Sequence, residues 1–166
     1  MSQVDIASLI LRVALGLTIA LHGANKVRSA ASLEGTAGWF ASIGMRFPKL
    51  QARMAAGTEI VAGLLLTVGL FVPTAAGALA ATMLVAIVVA HRKNGFFIFN
   101  EGQGWEYCAV LAAAAVALGS IGGGRVSLDH ALDLTYSSLW GFWTALILGV
   151  AGAFLHLASS YRPGRS

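Results

Sequence analysis

Arg12, Lys26, Glu59, His91 and Glu106 are ionisable residues in or beside long runs of Ala, Leu, Val and Gly. A charged side chain in hydrocarbon costs several kcal/mol, so such residues persist where they are paired or used. Arg12 lies inside the first apolar run. At 100° per residue, Arg12, Gly16, Gly23 and Lys26 share one narrow helix face, and the glycines let a second helix approach it. Glu59 is the expected acidic partner of Arg12. His91 and Glu106 lie within "AHRKNGFFIFNEGQGWEY", residues 90–107. There Gly95, Gly102 and Gly104 permit close backbone approach, and Phe96, Phe97, Phe99, Trp105 and Tyr107 offer faces that could sandwich a flat ring. A histidine and a carboxylate exchange protons near neutral pH, and a cation steers a carbonyl oxygen. An apolar slot with these groups suits a lipid-soluble quinone. The expected site has His91 and Glu106 in catalytic roles, Arg12, Lys26, Glu59 and Gly104 in substrate binding, and no metal. The plainer reading makes Arg12–Glu59 a structural ion pair, or Arg12 a residue snorkelling to an interface, and makes the aromatic segment an anchor at headgroup depth.

The elements that must position these residues are membrane helices. Of 166 residues, 57% are hydrophobic and 11% charged, far below the roughly 25% charged residues of soluble domains. Backbone groups in lipid must be satisfied within their own segment, which selects helices, and a span takes about 20 apolar residues. Five spans are expected, at about 6–21, 55–71, 74–90, 105–121 and 139–158, in one domain covering 1–166. Residues 55–90 are too long for one span, so a tight hairpin is expected at Pro73. The connection 23–53 reads as an amphipathic interfacial helix around Trp39, Phe40, Ile43 and Met45.

The formal net charge of +4 reflects topology rather than nucleic-acid binding. Five spans place Lys26, Arg28, Arg46, Lys49, Arg53, Arg92, Lys93, Arg162 and Arg165 on one side and Arg125 on the other. This predicts an outside N-terminus and a cytoplasmic C-terminus. Arg12 breaks the first apolar run, so no cleavable leader is expected there. The single cysteine, Cys108, excludes an internal disulfide, a dithiol centre and a zinc site. Gly141, Ala145 and Gly149 repeat every four residues, as do Ala109, Ala113 and Ala117, and both stripes read as helix-packing faces. Gly119 and Gly123 read as part of the turn "GSIGGGRVSLD". Asp129, His130 and Asp133 read as a solvated acidic cap.

These residues also carry a family pattern. "RVALGLTIALHGANK", "EIVAGLLLTVGL", "AHRKNGFF", "GQGWEY" and "RVSLD", in this order over residues 9–129, resemble the DoxX family of small bacterial membrane proteins. The resemblance implies a four-helix membrane bundle and an oxidoreductase connection through quinones, thiosulfate or oxidative stress. A fifth C-terminal helix departs from that pattern and offers a docking element. The fold class expected is therefore all-α: a polytopic bundle with a four-helix DoxX-like core plus a fifth transmembrane helix, in the bacterial inner membrane.

Two functions compete on the sequence. One is a quinone-interacting subunit whose electrons come from a partner, since no Fe–S, flavin or dithiol motif is present. The other is a non-catalytic scaffold or assembly subunit for a redox or respiratory complex. Either expects the lipid bilayer, and other subunits or further copies of the chain, as partners. A b-type haem on two of His22, His91 and His156 is the lesser reading, because span-end histidines more often lie at the interface. A transporter finds no inverted repeats to support it.

Overall fold

The computed structural model describes residues 1–163; Arg165, counted above among the basic residues of one side, lies outside them. Among the described residues seven α-helices follow one another: α1 (Gln3–Val27), α2 (Ala30–Ser42), α3 (Pro48–Val68), α4 (Val72–Ala86), α5 (Glu106–Ile121), α6 (Leu128–Ala131) and α7 (Ser138–Ser160). After α4 the chain continues through a π-helical turn, Ile87–His91, and a short 3-10 turn, Arg92–Asn94. The architecture is the expected all-α bundle. α1, the continuous rod Val72–Asn94 and α7 are long and apolar enough to cross a bilayer, and α5 is a shorter apolar helix.

Capping explains several helix starts. The Ser2 hydroxyl accepts from Asp5 N while Asp5 Oδ2 accepts from Ser2 N, a reciprocal cap for α1. Ser29, Ser127 and Ser137 cap α2, α6 and α7. α3 begins at Pro48 rather than near residue 55, since proline suits a first helical turn. Lys49 and Arg53 are thus helical. The reversal after α3 is not at Pro73. It falls at residues 69–71, where Gly69 (φ 72°) and Phe71 (φ 49°) adopt left-handed conformations. Pro73 sits in the first turn of α4, where its missing N–H costs nothing.

α4 is the central rod, flanked by α3, α5 and α7, while α1 lies along α3. Its Val72, Ala75, Ala76 and Leu79 are buried with Leu66, Ala115, Leu118 and Ala145. Small residues set the spacing. A Cβ on Gly63 would lie 2.6 Å from Gly16 O, so α1 and α3 touch backbone to backbone. Gly149 meets Ala80, and Gly119 meets both Ala145 and Gly141. The Gly141–Ala145–Gly149 stripe thus packs α7 on α4 and α5. Gly119 belongs to that contact rather than to the turn. The Ala109–Ala113–Ala117 stripe does not pack in this way: Ala113 and Ala117 are exposed, and α5 buries Cys108, Ala112, Ala115, Leu118 and Gly119 instead. Alanine occupies several faces of this helix, so residue type alone could not choose the inner one. α2 lies against α3 and buries Ala37 and Phe40 in a small core with Met45 and Ala52.

Candidate functional site

A cavity of about 690 Å³ opens between the α1–α3 pair and the rods of α4 and α7, with α2 along its floor and the start of α5 at its rim. Ile19, Phe40, Met54, Met83 and Leu148 make its walls largely apolar. Four of the residues expected at a site line it: Lys26, Glu59, His91 and Gly104.

Lys26 reaches across from the last turn of α1, and its Nζ lies 2.5 Å from Glu59 Oε2. The Glu59 side chain is 7% exposed and that of Lys26 21%. Gly23 makes the reach short, since a Cβ there would sit 2.9 Å from the Glu59 Cβ. Lys26, not Arg12, is therefore the partner of Glu59. The glycine-marked face of α1 does meet α3 as its pattern implied, but the pairing falls at the far end of that face.

His91 closes the π turn. A π turn carries one extra residue per cycle and often occurs at functional positions; here it brings Val89 and His91 to the cavity. The Nδ1 of His91 lies 2.9 Å from Gln103 O. A carbonyl can only accept, so Nδ1 carries the hydrogen, and Nε2 of the neutral ring is left as an acceptor. Gln103 holds a left-handed conformation (φ 62°), and its carbonyl also accepts from Asn94 Nδ2. Gly104, next in sequence, is pressed against the carbonyls of Phe96 and Phe97, and its N–H donates to Phe97 O at 3.0 Å. No side chain fits there.

Arg12 and Glu106 lie outside the cavity lining. Arg12 is 2% exposed. Its Nη1 donates to Thr67 O at 2.5 Å and its Nη2 to Val126 O. It thereby ties α1 to the end of α3 and to the segment before α6, at the opposite end of the bundle from Lys26. The carboxylate acting on it is that of Asp129, which accepts from Phe71 N at 2.7 Å and Val72 N at 3.0 Å and so caps α4. Asp129 is buried rather than part of a solvated acidic cap. Burial, helped by the charge of Asp129, pushes the Tyr136 phenol above its ordinary value.

Glu106 turns back into the loop that precedes it. Its N–H donates to Phe96 O at 2.8 Å and its Oε2 accepts from Ile98 N at 3.1 Å. No hydrogen bond joins it to His91 among the described residues. The aromatic residues of this loop pack on one another, Phe96 against Trp105 at 4.7 Å and Phe97 against Phe99 at 5.1 Å between ring centres. From this group only Tyr107 lines the cavity.

Beyond the residues expected in catalytic or substrate-binding roles, the cavity also contains Gln51, Tyr107, Cys108, His22 and His156. The two histidines were legible as span ends on the same side as His91. Gln51 carried no sequence signal beyond its place one turn before Ala55 on α3. Among the described residues no group of three or more His, Cys, Asp or Glu is placed to hold a metal ion.

Comparison with known proteins adds two findings. The DoxX family model matches residues 7–92, from α1 through the π turn. A Bacillus subtilis (strain 168) protein named "Putative oxidoreductase CatD" is 31% identical over 114 residues, 69% of this chain and 79% of the relative. No solved structure matches the chain.

Proposed function

This chain belongs to the DoxX family of multi-pass helical membrane proteins, and from that premise we propose that it is a quinone-interacting subunit of a redox system in the bacterial cytoplasmic membrane. The observation that carries the reading is the cavity itself: about 690 Å³, mostly apolar, with one nearly buried ion pair and a tautomer-fixed histidine on its wall. Binding pockets for small apolar ligands combine a greasy lining with a few convergent polar groups in this way. The name of the Bacillus subtilis relative is in keeping with redox chemistry.

In this reading Lys26 polarises a ring oxygen, Glu59 holds Lys26 in place, and His91 moves a proton at Nε2. Converting a quinone to its quinol takes two electrons and two protons. The chain's single cysteine cannot cycle as a dithiol, so the electrons come from a redox partner subunit. The ends of α1 and α7 and the start of α3 share one end of the bundle, where Arg46 N donates to Ser160 O. Lys26, Arg28, Lys49, Arg53 and Arg162 cluster at that end, which favours an outside N-terminus and a cytoplasmic C-terminus.

The test is purification in mild detergent, lipid extraction and detection of bound quinone by mass spectrometry, with decyl-ubiquinone titrated into the delipidated protein. Lys26→Met and Glu59→Gln are expected to lose the quinone, while Glu106→Gln keeps it. Wild-type protein that neither retains nor binds quinone sinks the proposal. If it also brings redox subunits with it, it is a scaffold.

A further inference from the structure

Gln51 is 4% exposed and lines the cavity. Its Nε2 donates to Ser160 Oγ at 2.8 Å, which fixes the amide against the end of α7. Its Oε1 is buried with no hydrogen-bond partner. A buried acceptor without a donor is unfavourable and uncommon, and calls for an explanation. The cavity that Gln51 lines offers one: a ligand that brings a hydrogen.

Two other polar groups of the cavity, Glu59 and His91, also offer acceptors. Glu59 is an acceptor, and its Oε2 holds Lys26, its only ion-pair partner among the described residues. In its neutral form His91 presents Nε2 as an acceptor, since Nδ1 donates to Gln103 O. Gln51 and Glu59 are eight residues apart on α3, about 12 Å of helix rise. That is on the scale of one ring with a hydrogen bond at either end. A ring bearing two carbonyl oxygens would set an acceptor against the Gln51 acceptor. A ring bearing two hydroxyls would satisfy it.

Resting on the quinone reading above, we propose that this cavity selects the reduced, hydroxyl-bearing form of its aromatic ligand, and that Gln51 Oε1 is the acceptor that reads one hydroxyl. Gln51 is then a specificity-determining residue: it separates two ligands of one shape by the presence of a donor. Sites built to hydrogen-bond a hydroxyl discriminate strongly against analogues that lack it, because their own polar group is then left unpaired.

The experiment compares decyl-ubiquinol with decyl-ubiquinone on the wild-type protein in nanodiscs, by isothermal titration, under anaerobic conditions for the quinol. The quinol is expected to bind at least about tenfold tighter, the equivalent of about 1.4 kcal/mol. The di-O-methyl ether of the quinol, which has no donor, is expected to bind no better than the quinone; this comparison needs no variant. Gln51→Met keeps the side chain's length and removes the acceptor. It is expected to bring the two affinities to within about twofold of each other, the quinol losing its acceptor and the quinone no longer facing one. Equal affinity of both forms for the wild type overturns the inference and leaves the quinone reading standing. A quinone-preferring wild type whose preference falls in Gln51→Met puts the amide nitrogen toward the ligand and also overturns it. Binding of neither form overturns both.

Discussion

Lys26 Nζ and Glu59 Oε2 meet at 2.5 Å across the α1–α3 contact, with the glutamate side chain almost wholly buried and the lysine a fifth exposed. The two residues are unequal in what their loss leaves behind. Removing lysine strands a carboxylate in an apolar wall; removing glutamate strands an ammonium that still reaches solvent.

Lys26→Met is therefore expected to destabilise the protein by about 3 kcal/mol and Glu59→Gln by less, because breaking a buried pair leaves an uncompensated charge. The double variant Lys26→Met/Glu59→Gln is expected to recover much of the loss, since both charges are gone. Thermal unfolding in detergent reads the cycle. Quinone titration of the same proteins separates packing from binding: the double variant should regain stability and not affinity.

Arg12→Ala removes donors from Thr67 O and Val126 O and takes the compensating charge away from Asp129. A loss of about 3–5 kcal/mol is expected. Arg12→Lys is expected to fall between, because an ammonium keeps the charge without the planar fork that spans two carbonyls. Ligand affinity of the folded Arg12→Lys protein should remain within about twofold of wild type, as one affinity decade is about 1.4 kcal/mol. A large affinity loss without loss of thermal stability would return Arg12 to the binding site.

Glu106→Gln should be close to wild type in stability and in quinone binding, because the amide oxygen still accepts from Ile98 N. Glu106→Ala is expected to cost about 1 kcal/mol by freeing that loop donor. Limited proteolysis between residues 94 and 106 reports the loosened loop. A loss of quinone in Glu106→Gln at unchanged stability would show that the carboxylate acts on the ligand.

The glycines divide into those that space helices and those that do not. Gly63→Ala drives a methyl to 2.6 Å from both Ala20 N and Gly16 O, where backbone cannot yield, and should cost about 3 kcal/mol or prevent assembly. Gly57→Ala, on the same helix with nothing within 4 Å of its added carbon, should instead stabilise by about 0.5–1 kcal/mol. Thermal unfolding of the two variants checks both signs.

Much of this protein could be read before any fold was seen. Apolar runs of span length and the lopsided distribution of basic residues fixed a helical membrane chain, because lipid leaves few other ways to satisfy a backbone. The Gly16–Gly23 face correctly pointed α1 at another helix, since only a missing Cβ allows that approach. Lys26, Glu59, His91 and Gly104 stood out as polar or glycine positions at span ends. What only tertiary structure decided was which charge met which. Arg12 and Lys26 share one face of α1 but lie fourteen residues apart, about 21 Å along the axis. The choice between them for Glu59 depended on how far α3 slides along α1, which no periodicity encodes. The same is true of Gln51, an unremarkable amide in sequence. It became a candidate for ligand selection only when α7 occupied its nitrogen and left its oxygen unpaired.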